Sequence, residues 1–160
     1  MREIAKLLES NARLTPAEIA TMLGRDEQEV RETIEKMEKE GIIVRYGAKI
    51  NWERLGESSR VFATVKVCAT PERDVGFDAI AQRIVNFPEV HSLYLISGDH
   101  DFEVVVEGDT MRDIALFVAE RLAVIPGITS TATHFVLRTY KKDGDVLFEP
   151  PEDRRLAVAP

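Results

Sequence analysis

The hydrophobic period of the chain changes near Arg60, and this change constrains the fold more than any other feature. Before Arg60, apolar residues such as Ile4, Leu7 and Leu8 recur at the spacing of an amphipathic helix. After it, "RVFATVKVCA" alternates like a half-buried strand. The length of 160 residues suits two compact domains. We therefore expect an α+β protein with a helical N-terminal domain and a mixed C-terminal domain.

The N-terminal domain is predicted to contain three helices followed by a small β-hairpin, or wing, over "IIVRYGAKIN". Thr15 is the expected N-cap of the second helix, and Glu18 closes a capping box with it. Gly24 permits a tight turn into a third helix, which is capped by Asp26 and ends near Gly41. Helix, glycine turn and helix form the helix-turn-helix layout. The inward side chains on the second and third helices are predicted to be Ile19, Met22, Leu23, Val30, Ile34 and Met37.

From Arg60 onward, the pattern predicts the order βαββαβ, the ferredoxin-like split unit with both helices on one face of the sheet. The strands are expected at "RVFATVKVCA", "HSLYLIS", "FEVVVEG" and "ITSTATHFVLRTY". Because "LYLI" and "VVV" are apolar at consecutive positions, the other face also needs cover, which predicts at least a homodimer. The two helices should cover the first face of the sheet with their apolar sides. These sides are predicted to consist of Phe77, Ile80 and Ile84 in the first helix and of Met111, Ile114, Phe117, Val118 and Leu122 in the second.

Three segments together resemble the Lrp/AsnC family, the feast/famine transcription regulators. They are "GIIVRYGAKIN", "GFDAIAQRIVNFPEVHSLYLISGDHDFEVVVEG" and "IPGITSTATHFVLRTYK". The resemblance implies a winged helix-turn-helix that binds double-stranded DNA, and dimers that often assemble into octamers. It also implies an amino acid or related metabolite held between the C-terminal domains of neighbouring dimers. The expected boundaries are 1–51 for the DNA-binding domain, 52–59 for a linker, 60–142 for the ligand-binding and oligomerisation domain and 143–160 for an acidic tail.

The predicted third helix is acidic for a DNA-reading helix, with the sequence "DEQEVRETIEKMEKEG" at 26–41. Pairs of Glu32 with Lys36 and of Glu35 with Lys39 are expected at the i, i+4 spacing, so much of this acidity is ordinary solvated helix chemistry. A net charge of -7 argues against general, non-specific binding to nucleic acid, but it is compatible with a local basic patch. The outward face is predicted to carry Gln28, Glu32, Glu35 and Lys39, with Arg31 and Lys36 on its flanks.

Three side chains at the reading end of this helix suit the edges of bases. Gln28 is suited to bidentate hydrogen bonds with adenine, and Arg31 to bidentate hydrogen bonds with guanine. Glu32 is suited to accept a hydrogen bond from the N4 amino group of cytosine. The alternative left open is a charged surface helix in a domain that does not bind DNA. Phosphate contacts are expected from outside this helix, from Arg25 in the turn, from Arg45 and Lys49 in the wing, and from Arg13. Lys36 and Lys39 complete the predicted DNA-binding residues on the helix itself.

The loop "SGDHD" is the candidate effector site. An amino acid offers an ammonium and a carboxylate, so its site needs acceptors and donors close together. Carboxylates in the loop would hold the ammonium and backbone N–H groups around Gly98 the carboxylate, while hydroxyls come from the last strand. The alternative is an ordinary strand-joining turn in which the aspartates bond local amides. The candidate effector residues are Gly98, Asp99, His100, Asp101, Thr131 and Thr133.

The remaining features favour a regulator over an enzyme. Cys68, the single cysteine, lies in an apolar strand and is expected to be a buried structural thiol. No catalytic residues, metal site or cofactor are predicted, because the three histidines lack metal-ligand spacing and no nucleophile motif is present. A cytoplasmic location is expected, because no apolar run approaches the length of a membrane span. Two alternatives remain: an enzyme resembling the sirohaem decarboxylases, which share this architecture, and a metabolite-binding oligomer that does not bind DNA.

Overall fold

The computed structural model describes residues 1–51, 60–70 and 76–147. The chain forms two compact units, Met1–Ile50 and Asn51–Pro160. Each unit has its own hydrophobic core. The predicted linker at 52–59 and most of the predicted acidic tail lie outside the described residues.

The first unit contains three helices: α1 (Arg2–Ser10), α2 (Pro16–Leu23) and α3 (Glu27–Lys39). The prediction that Met22 faces inward is wrong, because 59% of its surface is exposed. The buried stripe of α2 is centred on Ile19, Ala20 and Leu23, and this orientation turns Met22 toward solvent. The buried residues of this core are Ile4, Leu8, Ile19, Ala20, Val30 and Met37.

The helix starts and the turn between α2 and α3 confirm the sequence prediction. The Thr15 hydroxyl accepts from the Glu18 N–H at 3.3 Å, and the Glu18 carboxylate accepts from the Thr15 N–H at 2.7 Å. The Asp26 carboxylate accepts from the N–H groups of Gln28 and Glu29. Gly24 adopts φ +62°, a left-handed conformation that a residue with a side chain rarely takes, and so permits the three-residue turn into α3.

The predicted wing hairpin does not form in residues 42–51, which contain no strand. An isolated two-stranded hairpin is marginally stable in water, and little apolar burial supports this segment. Val44, for example, has 87% of its surface exposed. The segment is instead tied to α3 by Tyr46, whose hydroxyl donates to the Glu38 carboxylate at 2.7 Å.

The second unit is built on a four-stranded antiparallel sheet with the strand order β2-β3-β1-β4. Two helices, α4 and α5, cover one face, and α5 continues into a π-helical turn at Val118–Leu122. This arrangement confirms the predicted ferredoxin-like βαββαβ fold. The elements are β1 (Val61–Ala69), α4 (Gly76–Ile84), β2 (Val90–Leu95), β3 (Phe102–Gly108), α5 (Met111–Phe117) and β4 (Ile128–Phe135).

The core lies between the helices and the inner face of the sheet. Met111 was predicted to pack against the sheet, but this prediction is wrong, because 51% of its surface is exposed. It occupies the first position of α5, at the rim of the unit just after β3 ends. The fully buried strand residues are Ala63, Val65, Val67, Phe102, Val104 and Val106, and the buried helical residues include Ile80, Ile84, Ile114, Phe117 and Leu122.

The last long strand is shorter than predicted, since β4 ends at Phe135 rather than continuing to Tyr140. The N–H of Val136 still donates to the Phe62 carbonyl, and β1 begins only one residue before Phe62. Beyond this point β1 offers no further partner, so the ladder stops. A hairpin not expected from the sequence follows, with β5 (Lys141–Lys142) paired to β6 (Asp145–Val146).

Candidate functional site

The outward surface of α3 is the candidate DNA interface. Val30 and Met37 anchor the helix in the core, whereas the predicted reading residues Gln28, Arg31 and Glu32 are all exposed. The structure thus brings these three together at the N-terminal half of one solvent-facing helix. Lys36 and Lys39 are exposed further along the same helix, and Arg13, Arg45 and Lys49 are exposed outside it.

Carboxylates hold the polar side chains of this surface. Arg31 Nη2 donates to Glu27 Oε1 at 2.6 Å. Gln28 Nε2 donates to Glu32 Oε1 at 3.0 Å, so these two predicted base-reading residues contact each other. Two acidic residues of the helix, Glu27 and Glu32, are therefore direct partners of groups suited to read bases.

Arg25, in the turn before α3, has two carboxylate partners. Its Nη2 lies 2.6 Å from Glu3 Oε2 of α1, and its Nη1 lies 4.0 Å from Glu29 Oε1. The Arg25 side chain is only about a third exposed, at 32%. This guanidinium links α1 to the start of α3 and remains accessible at its edge.

The predicted ion pairs of Glu32 with Lys36 and of Glu35 with Lys39 are absent among the described residues. Lys36 instead lies 3.8 Å from Glu40, one turn toward the C-terminus. Glu32 accepts from Gln28, one turn toward the N-terminus. The i, i+4 spacing is kept, but the choice between two equally spaced partners was not predictable from the spacing alone.

The candidate effector loop, Gly98–Asp101, joins β2 to β3. Asp99 Oδ1 lies 2.7 Å from His100 Nδ1, and Asp99 Oδ2 lies 3.4 Å from the Lys66 ammonium. The hydrogen bond with His100 and the charge of Lys66 hold the pKa of the Asp99 carboxyl below its ordinary range. The Asp99 side chain is 77% exposed, so an ionised carboxylate faces solvent beside an ammonium.

Asp101 and His100 are more enclosed than Asp99. Asp101 Oδ2 accepts from the Ala69 N–H at 2.7 Å, and the Asp101 N–H donates to the Val67 carbonyl at 3.0 Å. The His100 side chain is only 7% exposed, and its Nε2 has no hydrogen-bond partner among the described residues. The nearest carboxylate to this nitrogen is Glu103 Oε2, at 4.0 Å. The loop is thus fastened to β1 through Asp101 and presents Asp99 outward.

Thr131 and Thr133 do not join the loop carboxylates in one cluster. In the β1–β4 register they lie opposite Val67 and Val65, whose side chains are buried under the helices. The Lys66 side chain, which contacts Asp99, belongs to the alternate face of β1. Within one protomer, the two threonines and Asp99 therefore lie on opposite faces of the sheet.

Three partners of the predicted site residues were not predicted from the sequence: Lys66, Glu3 and Glu27. The alternation of β1 was sufficient to assign Lys66 to the outer face, but no local signal indicates which loop it meets. Glu3 is 22 positions from Arg25, so only the tertiary packing of α1 brings them together. Cys68, predicted to be buried, is half-buried on the outer face.

Two classes of feature are absent from the described ranges. In residues 1–51, 60–70 and 76–147, no group of three or more histidine, cysteine, aspartate or glutamate side chains is arranged to hold a metal ion. Over the same residues, no helix has the length and apolar character needed to cross a membrane.

Both units match known protein families. Residues 61–146 match the Lrp/AsnC ligand binding domain, and residues 1–44 match a winged helix-turn-helix DNA-binding family. The chain is 42% identical over 158 residues to the HTH-type transcriptional regulator YugG of Bacillus subtilis, covering 99% of this chain and 95% of that protein.

Solved structures share the fold. The Mycobacterium tuberculosis leucine response regulatory protein LrpA superposes with a TM-score of 0.73 at 23% identity, covering 91% of this chain and 96% of that chain. A feast or famine regulatory protein from M. tuberculosis, solved as a complex with L-methionine, superposes with a TM-score of 0.72 at 22% identity, covering 91% and 95%.

Proposed function

Because this chain belongs to the Lrp/AsnC family of helix-turn-helix transcriptional regulators, we propose that it recognises specific sites in double-stranded DNA through α3. One observation carries this proposal: Gln28, Arg31 and Glu32 are exposed together on the helix that follows a capped, three-residue turn. These side chains supply an amide, a guanidinium and a carboxylate, the groups that read adenine, guanine and cytosine in the major groove.

Basic residues around this surface are proposed to contact phosphates. Arg25 lies at the start of α3, Lys36 and Lys39 lie on its C-terminal half, and Arg45 and Lys49 follow in the segment after it. With a net charge of -7 and so few cations near α3, binding is expected to be modest per DNA-binding domain and to weaken strongly with salt. Several DNA-binding domains of one oligomer, bound to the same DNA molecule, would raise the overall affinity.

The second unit is proposed to bind an amino acid at the loop Gly98–Asp101. The Asp99 carboxylate and the Lys66 ammonium lie 3.4 Å apart at the surface, and together they complement the two charges of an amino-acid zwitterion. The methionine complex of a structural relative supports this class of ligand. His100, Asp101 and the backbone around Gly98 complete the proposed site, and Thr131 and Thr133 contribute from the other face only through a neighbouring protomer.

Assembly is proposed to connect the effector to DNA. Homodimers that form through the uncovered face of the sheet, and that assemble further toward octamers, would bring several α3 helices to one DNA molecule. An effector that binds one arrangement of dimers better than another shifts the population toward it. The DNA affinity of the whole assembly then responds to the metabolite.

Two charge reversals test the proposed interface on a DNA site selected by the wild-type protein. Arg31→Glu should change the preferred sequence, because this side chain is assigned to a base. Lys49→Glu should weaken all DNA alike, by roughly tenfold, because phosphate contacts carry no sequence information. Binding is measured by fluorescence anisotropy on the selected site and on single-base variants of it. Unchanged binding in both variants would contradict the proposed interface.

A further inference from the structure

The carboxylates around α3 form a consistent pattern. Of the groups proposed to contact DNA, Arg31 is held by Glu27 at 2.6 Å and Arg25 by Glu3 at 2.6 Å. The side chains of the first pair are 47% and 49% exposed, and in the second pair Arg25 is 32% and Glu3 64% exposed. Glu27–Arg31 has the i, i+4 spacing that adds only a little helix stability, and exposed pairs contribute little to folding. The larger effect of both carboxylates is expected on the charge that the two arginines present to DNA.

We infer that Glu27 and Glu3 determine DNA specificity, by neutralising Arg31 and Arg25 toward any DNA that offers only phosphates. This inference rests on the proposed DNA-binding function and goes beyond it, because it assigns a role to residues that need not touch DNA. A guanidinium paired with a carboxylate has little net charge, so it adds little attraction for the phosphate backbone.

The Arg31–Glu27 pair should affect binding to the specific DNA site differently. A guanidinium has five N–H donors, and Arg31 uses its Nη2 on Glu27, which leaves other donors for a base. Arg31 can therefore keep its carboxylate and still donate to the O6 and N7 atoms of guanine. Glu27 also fixes the direction of the side chain, so less freedom is lost on binding. The pair suppresses non-specific binding while it preserves, and orients, the specific contact.

The test uses Glu27→Gln, which removes the charge and keeps a side chain of similar shape. We expect affinity for DNA of unrelated sequence to rise several-fold, and the slope of log affinity against log salt to steepen by about one. Affinity for the selected site should change less, so the ratio of specific to non-specific affinity falls. Glu3→Gln should act in the same direction through Arg25.

Glu35→Gln is the matched control. It removes the same charge from the exposed side of the same helix, but Glu35 has no ion pair among the described residues. Its effect measures the general loss of negative charge near DNA. The single variant Arg31→Gln and the double variant Glu27→Gln with Arg31→Gln complete a double-mutant cycle. Without Arg31, Glu27→Gln should give no gain in non-specific binding. Thermal unfolding of each variant checks that α3 remains folded.

The outcomes separate this inference from the proposed function. If the wild type binds its site and Glu27→Gln behaves like Glu35→Gln, or if its gain persists without Arg31, the inference is overturned and the DNA-binding function stands. If the wild type and all variants fail to bind DNA at low salt, both are overturned.

Discussion

Asp101 is the residue of the loop with the clearest structural role, because its carboxylate fastens the loop to β1 through the Ala69 N–H. Asp99, by contrast, is exposed and faces the Lys66 ammonium. A carboxylate bonded to a backbone amide still has lone pairs free for a ligand ammonium. Asp101 holds the loop and is proposed also to bind the effector, so one substitution would remove both roles together.

Two substitutions at Asp101 separate these roles. Asp101→Ala should abolish effector binding and leave dimers intact, whereas Asp101→Asn keeps an oxygen for the Ala69 N–H and removes the charge. If the carboxylate holds the ammonium, Asn should also weaken binding, by about tenfold or more, as expected for the loss of a charged hydrogen bond. Calorimetry with L-methionine measures binding, and sedimentation measures assembly. Wild-type affinity in the Asn variant would leave Asp101 only its structural role.

The segment after α3 contacts that helix in place of forming a strand pair, and one of these contacts is polar and titratable. Tyr46 donates to Glu38, and its pKa is raised to about 12, first because the hydroxyl is partly shielded from water and then because of Glu38. A phenol whose pKa is higher in the folded state stabilises that state fully below its ordinary value of 10.0. This stabilisation is lost as the pH rises through 10 toward 12.

The titration of Tyr46 tests this contact. In an ultraviolet titration, the difference between the wild type and Tyr46→Phe should show one tyrosine that ionises near pH 12. Glu38→Gln should lower that pKa, because the nearby negative charge no longer opposes ionisation. Glu35→Gln, which removes a charge on the same helix without touching the hydroxyl, should leave it unchanged. If Tyr46 still ionises near pH 12 in Glu38→Gln, Glu38 does not contribute to its raised pKa.

The elements that the sequence predicted well are those decided by near neighbours along the chain. The Thr15 and Asp26 caps, the Gly24 turn and the order of strands follow from local spacing and were confirmed. Residues 42–51 contain no strand, although a hairpin was predicted there, because the stability of a hairpin depends on packing that no local pattern reports. The Lys66–Asp99 and Arg25–Glu3 contacts join residues 33 and 22 positions apart, and only tertiary packing decides them. The identity of the effector residues accordingly stays a prediction.

The outer face of the sheet is the surface proposed for dimerisation. Val105 lies at its centre, opposite Thr64 of β1 and Ser92 of β2. It is half-buried in one protomer, and Phe62 and Tyr94 lie on the same outer face. A second copy of the sheet would remove these side chains from water.

Val105→Glu should therefore break the dimer and leave each protomer folded. A carboxylate buried without a partner costs about 3 kcal/mol or more, which weakens association about a hundredfold. Sedimentation velocity measures the change, and circular dichroism checks the fold. Ala115→Glu, which adds the same charge on an exposed position of α5, should stay dimeric. A Val105→Glu protein that remains a dimer would move the interface to another surface.

Selection from fragmented DNA tests whether so acidic a helix reads DNA. The purified protein is incubated with fragmented DNA from its own source at two salt concentrations, and the retained fragments are sequenced. Sequence-specific binding through α3 predicts enrichment of a few sites, with retention markedly reduced at the higher salt. Retention of no DNA at low salt would contradict it and favour a metabolite-binding protein that does not act on DNA.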